Sequence, residues 1–167
     1  MNVTLLSTQA IGLKTTWVTR LISNSNQGWK KLVNITLPLK NNNFWECNFK
    51  EQDCRAIFAH YKKIPYFWKD VIIKWSKFNF SDPTGISSII AQPLWFNSFI
   101  RNSSNAIILY TKAYESGIFT MKDLIIDGKF ATFEQIIIKY PNSGLNFLKY
   151  YGLIKIIPRA WKQTIYR

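Results

Sequence analysis

Between Ile64 and Phe78 the apolar residues recur at steps of three and four: Ile64, Phe67, Trp68, Val71, Trp75 and Phe78, with Lys69, Asp70, Ser76 and Lys77 between them. That spacing predicts an amphipathic helix with a wide, aromatic-rich core face, and Pro65 suits its first turn. The pattern breaks at Asp82-Pro83-Thr84-Gly85, where proline disfavours helix for the residue before it and glycine permits a change of direction. A short apolar piece, Ile86 to Ala91, leads to Gln92-Pro93-Leu94-Trp95-Phe96-Asn97. Nothing in this central stretch is chemically reactive, so its aromatics are expected to hold a core together.

The same periodicity predicts a helix from Ala10 to Ser23, with Ile11, Leu13, Trp17, Val18 and Leu21 apolar. Residues 24–28 read as a turn and Trp29 to Val33 as a second, shorter helix. Pro38 and Asn41-Asn42-Asn43 make 38–43 the best linker, because consecutive asparagines favour turns. The expected organisation is therefore a basic helical segment at 1–40 followed by a helical module at 44–167, or one domain containing both. Phe44 to Tyr61 reads as helical in its second half, with Cys54, Ile57, Phe58 and Tyr61 on one face.

Beyond a polar loop at 101–105, Ala106 to Glu115 leaves helix and strand equally open until Ser116-Gly117 stops it. Thr120 to Asp123 has capping-box spacing, and Asp127-Gly128 allows one very short β-hairpin between Leu124-Ile125-Ile126 and Lys129-Phe130. Thr132-Phe133-Glu134-Gln135 is a better capping box, opening a helix that Pro141 ends. Leu145 to Ile157 is expected to be the last long helix, with Phe147, Leu148, Tyr151, Ile154 and Ile157 on its buried face. Pro158 then starts a final basic segment. With no internal repeat, the reading is a mainly α fold, an irregular bundle of short helices. Trp17, Trp68, Trp75 and Phe147 are expected to be largely buried.

Composition changes the picture through charge. The chain has 167 residues, 47% of them hydrophobic and 16% aromatic, too rich for a disordered tail. Its 22 Lys and Arg stand against nine Asp and Glu, a formal charge of +13, which points to a polyanionic partner. Residues 1–40 and 141–167 each hold five basic and no acidic residues, while 41–140 hold twelve basic against nine acidic. Nucleic acid is the simplest partner for such ends, and solubility without a specific partner is the alternative.

Candidate chemistry is sparse. The acids are never adjacent, whereas two-metal phosphoryl transfer needs clustered carboxylates to hold ions about 4 Å apart. Asp123 reads as a cap and Asp127 as a turn residue. His60 is the only histidine; with Cys47 and Cys54 it makes three ligands at loose spacing, where structural zinc takes four. No Ser, His and acid set and no phosphate-cradling glycine loop stands out, so neither catalysis nor a metal or other cofactor is expected. Two cysteines build no disulfide framework, the start MNVTLLSTQAIGLK does not read as a secretory signal, and no apolar run reaches the roughly 20 residues of a spanning helix. The expectation is an intracellular protein, nuclear or cytoplasmic, with no membrane partner.

Several segments carry a resemblance in one colinear order. They are Leu13-Lys14-Thr15-Thr16-Trp17-Val18-Thr19-Arg20-Leu21, Phe67-Trp68-Lys69-Asp70-Val71 with Trp75, Gln92 to Asn97, Glu115-Ser116-Gly117-Ile118 leading to Lys122-Asp123-Leu124-Ile125, Asp127 to Phe130 before Phe133-Glu134, and Asn146 to Ile154 through Ile157-Pro158 to Trp161-Lys162. From about Ala10 to Lys162 the chain resembles the region C-terminal to the polymerase, beyond the thumb, in the second open reading frame protein of LINE-type, non-LTR retrotransposons of animals. The resemblance implies a retrotransposon-derived fragment whose parent carries an endonuclease and a reverse transcriptase, and whose partners are RNA or an RNA/DNA hybrid and the remainder of that protein. The parent polymerase's adjacent aspartates and the closing Cys/His knuckle have no counterpart here. Where the family often has a Trp shortly before the Gly-Ile pair, this chain reads Tyr110-Thr111-Lys112-Ala113-Tyr114.

Three functions follow as expectations. The first is a non-catalytic nucleic-acid-binding accessory region, with Lys14, Arg20, Lys30, Lys31, Lys149, Lys155, Arg159, Trp161 and Lys162 as the contact residues and mainly backbone contacts. Core packing is the competing role for Trp29 and Trp161. The second is reverse-transcriptase identity inherited from the parent without activity in the fragment. The third is a decayed reading frame with no selected function.

Overall fold

The structure, a computed structural model, describes residues 12–14, 16–21, 23, 30, 43–78 and 82–166. The turn expected at 24–28, the helix expected from Trp29 apart from Lys30, and the linker residues 38–42 lie outside them, as do Lys31 and Trp29. The fold is mainly α, with one two-stranded hairpin among the described residues. The chain divides into two compact units, residues 1–80 and 81–167.

In the first unit, residues 12–14 and 16–21 are helical (α1) and bury Val18 and Leu21. A single helical turn, α2 (Asn43–Glu46), buries Phe44 and Trp45. A 3-10 turn at Glu51–Asp53 runs directly into α3 (Cys54–His60), with the Asp53 carboxylate accepting from the Lys50 N–H at 2.9 Å. Pro65 then starts α4 (Tyr66–Trp75), its fixed φ already suited to a helix entry. The core gathers around Trp45, whose ring lies 6.1 Å from Trp68 and 6.4 Å from Trp75.

The buried stripe of α4 is Trp68, Val71 and Ile72, with Trp75 half-buried, while Phe67 and Phe78 lie exposed. This corrects the expected face. The apolar arc is wider than one core stripe, so two neighbouring phases fit the periodicity, and packing selects the one with Ile72 inside. Trp17, expected in the core, is 40% exposed and meets Phe67 edge-on, because α1 turns Val18 and Leu21 inward.

The second unit is built on the segment Gln92 to Asn97. Leu94 N–H donates to the Phe119 carbonyl, Met121 N–H to the Gln92 carbonyl and Phe96 N–H to the Ile108 carbonyl. Trp95, fully buried, donates its indole N–H to the Ile118 carbonyl at 2.6 Å. Asn97 is buried too, donating to Pro93 and accepting from the Phe99 N–H, so its amide replaces missing backbone partners. Around this segment stand α5 (Ile86–Ile90) and α6 (Thr111–Glu115), so the stretch left open between helix and strand is helical only in its second half.

A 3-10 turn at Met121–Leu124 is capped as expected by Asp123, which accepts from the Phe119 and Thr120 N–H groups. The hairpin forms as expected: β1 (Ile125–Ile126) pairs antiparallel with β2 (Lys129–Phe130), with Asp127 and Gly128 both at positive φ, as a two-residue primed turn requires. The Thr132/Gln135 capping box closes at 2.8 and 3.3 Å and opens α7 (Phe133–Lys139). Asn146 caps α8 (Phe147–Ile156), and Pro158 precedes α9 (Arg159–Ile165). α8 packs on α7, and α9 packs on α5.

The face expected for the last long helix is also corrected. Tyr150, Leu153 and Ile157 are buried, whereas Phe147 is 56% and Leu148 80% exposed, with Tyr151 exposed beside them. The apolar arc of this helix is wider than one core stripe, and packing selects the phase with Tyr150 and Leu153 inside, opposite the exposed Lys155. The buried hydrogen bond from the Tyr150 hydroxyl to the Ala131 carbonyl belongs to the phase that formed.

Candidate nucleic-acid interface

Charge is unevenly shared. Residues 1–80 carry twelve Lys and Arg against four Asp and Glu, and residues 81–167 carry ten against five. In the first unit three of the four acids are engaged: Asp70 pairs with Lys14, Glu51 with Lys77 at 3.4 Å, and Asp53 accepts from the backbone. Basic side chains therefore dominate its open surface.

The nine expected contact residues fall into distinct situations. Arg20 is exposed on α1, and Lys149, Lys155 and Arg159 are exposed on α8 and α9. Lys14 is half-buried in its ion pair with Asp70 and offers little net charge. Lys30 donates to the carbonyl and hydroxyl of Ser23, tethering its ammonium locally. Lys31 lies outside the described residues.

Lys162 has a structural task. Its ammonium donates to the carbonyls of Ile154 and Lys155, each at 3.2 Å, and so satisfies the open C-terminal end of α8. Trp161 is 5% exposed, its ring centroid 5.7 Å from that of Phe99, so it takes the packing role and presents no face to a base.

One basic stretch escaped the reading because charge was balanced over the whole middle of the chain. From Cys54 to Lys69 there are four Lys or Arg and no acid. Arg55, Lys62 and Lys63 are exposed, and Tyr66 and Phe67 beside them are exposed aromatics. A shorter charge window over 54–69 would have found it.

The second unit has an open cleft of about 460 Å³ between the C-terminal ends of α6 and α7, lined by Lys112, Glu115, Lys139, Tyr140 and Asn142 among others. Both signs of charge share its wall. The Tyr140 hydroxyl donates to Asp123, and the Lys139 ammonium lies 5.0 Å from the Tyr140 ring centroid.

Cys47 and Cys54 are buried and form no disulfide, and burial raises both thiols, Cys47 well above the ordinary range, so neither is poised to act as a thiolate. Among the described residues no three His, Cys, Asp or Glu side chains gather as a metal site, and no helix is long and apolar enough to cross a membrane. No protein-family model, no curated protein and no solved structure matches the chain.

Proposed function

We propose that this chain is a non-catalytic nucleic-acid-binding region, the part beyond the polymerase in a LINE-type reverse transcriptase protein, working in the nucleus or cytoplasm. It grips RNA or an RNA/DNA hybrid through backbone phosphates. The observation that carries this reading is the surplus of +13, with three of the four acids of the first unit engaged while Arg20, Lys149, Lys155 and Arg159 are exposed. Contacts of this kind release condensed counterions, which makes affinity depend steeply on salt.

Titrating the full chain against a labelled single-stranded RNA at several salt concentrations tests the reading. Affinity should fall with a log-log slope of about −0.7 per contacted phosphate. Replacing Lys149, Lys155 and Arg159 with Gln should flatten that slope by about two units if all three meet phosphates. Binding that ignores both salt and these changes overturns the electrostatic account. Metal-dependent nucleotide incorporation on a primed template would overturn the non-catalytic part.

A further inference from the structure

The corner between α3 and α4 combines two features that separately mean little. Tyr66 is 87% exposed at the first position of α4, and no ring contact holds it among the described residues. Phe67 and Trp17, in edge contact at 6.2 Å, are also open to solvent. A lone surface aromatic is ordinary, but three in one unit are a costly use of apolar area unless something covers them.

What covers them is indicated by charge. Lys62 and Lys63 are exposed just before Tyr66, and no acidic residue occurs between Asp53 and Asp70. Asp70, the acid nearest in sequence to the aromatics, is paired with Lys14, and Asp53 is buried against the Lys50 N–H. Ile64, buried between the lysines and the tyrosine, and Pro65, which fixes the start of α4, anchor the backbone of the corner. Exposed rings beside unopposed ammonium groups are the two parts of a single-strand platform, since rings stack on unpaired bases and lysines hold phosphates. A duplex hides its base faces and gains nothing from the rings.

We propose that this corner is a stacking site for unpaired bases of a single strand, with Tyr66 as the principal ring and Lys62 and Lys63 on the adjoining phosphates. The inference rests on the nucleic-acid reading above and adds to it the strand state of the ligand.

The test measures full-chain affinity for a labelled oligouridylate and for a labelled duplex of equal length. Tyr66→Ala should weaken oligouridylate binding by about 5- to 150-fold and leave duplex binding unchanged. Tyr66→Trp should retain the single-strand affinity, because a larger ring still stacks. Lys62→Gln with Lys63→Gln should flatten the salt slope by about 1.4. If Tyr66→Ala binds oligouridylate as tightly as the parent chain, the corner is not the site, while the wider reading stands. An equal loss on both ligands overturns stacking. A parent chain that binds neither ligand at low salt overturns both proposals.

Discussion

The indole N–H of Trp75 donates to the backbone carbonyl of Trp45 at 3.0 Å, joining the end of α4 to a helical turn 30 residues earlier. Trp45 is almost wholly buried, so its carbonyl depends on that donor. Trp75→Phe keeps an aromatic ring and removes only the donor. It should cost about 1 to 3 kcal/mol in chemical denaturation, and an unchanged midpoint would show that water replaces the indole.

Two buried groups set an alkaline limit. Burial raises the Tyr150 hydroxyl, with the neighbouring Tyr151 and Tyr166 adding to it, and burial raises the Cys47 thiol, with Glu46 adding to that. In the unfolded chain these groups ionise near pH 10 and 8.5, about their ordinary values, while the folded chain keeps them protonated. Their stabilising contribution is therefore complete below those values and is lost as pH rises through them towards the folded values. The denaturation midpoint should fall between about pH 8.5 and 11, and Tyr150→Phe should remove the tyrosine share of the fall. An equally steep fall in the Phe variant would reject the assignment.

Lys162 is expected to matter for stability more than for binding. Lys162→Met leaves the carbonyls of Ile154 and Lys155 without its ammonium and should cost about 1 kcal/mol. Lys155→Gln should leave the midpoint nearly unchanged, since its side chain is exposed. The reverse ranking by thermal denaturation would show that the cap is not formed in solution.

Two glycines should respond oppositely to alanine. Gly144 has φ +63, and a Cβ there would lie 2.8 Å from Lys112 Cδ, so Gly144→Ala should destabilise by about 1 to 2 kcal/mol from the left-handed backbone alone. Lys112→Ala should remove the 2.8 Å contact with Cδ and lower the cost, with the 3.1 Å approach to Cβ remaining. Gly152 stands inside α8 with nothing within 4 Å of the added carbon, and Gly152→Ala should stabilise by about 0.5 to 1 kcal/mol. Calorimetry showing both changes with the same sign would contradict this account.

The features legible in advance were those governed by neighbours along the chain. The hairpin at Asp127-Gly128, the Thr132/Gln135 box, the Asp123 cap and the mainly α class each depend on backbone hydrogen bonds completed within a few residues. Of the candidate interface residues that the structure describes, Arg20, Lys149, Lys155 and Arg159 are exposed.

The sequence by itself determined the start of α7 at the Thr132/Gln135 box and the turn at Asp127-Gly128, because capping and turn residues act locally, and it determined the net charge. Tertiary structure alone decided which part of the apolar arc of α4 and α8 turns inward, since each arc is wider than one core stripe and only contact with other elements ranks its phases. It decided that Trp161 packs on Phe99 and that Lys162 reaches back to the end of α8. It also decided that Tyr66 stands in solvent while Trp68, two residues on, is buried. The physical reason is the same in each case: residue type sets what a side chain gains from burial or from a partner, and only the folded chain supplies the partner.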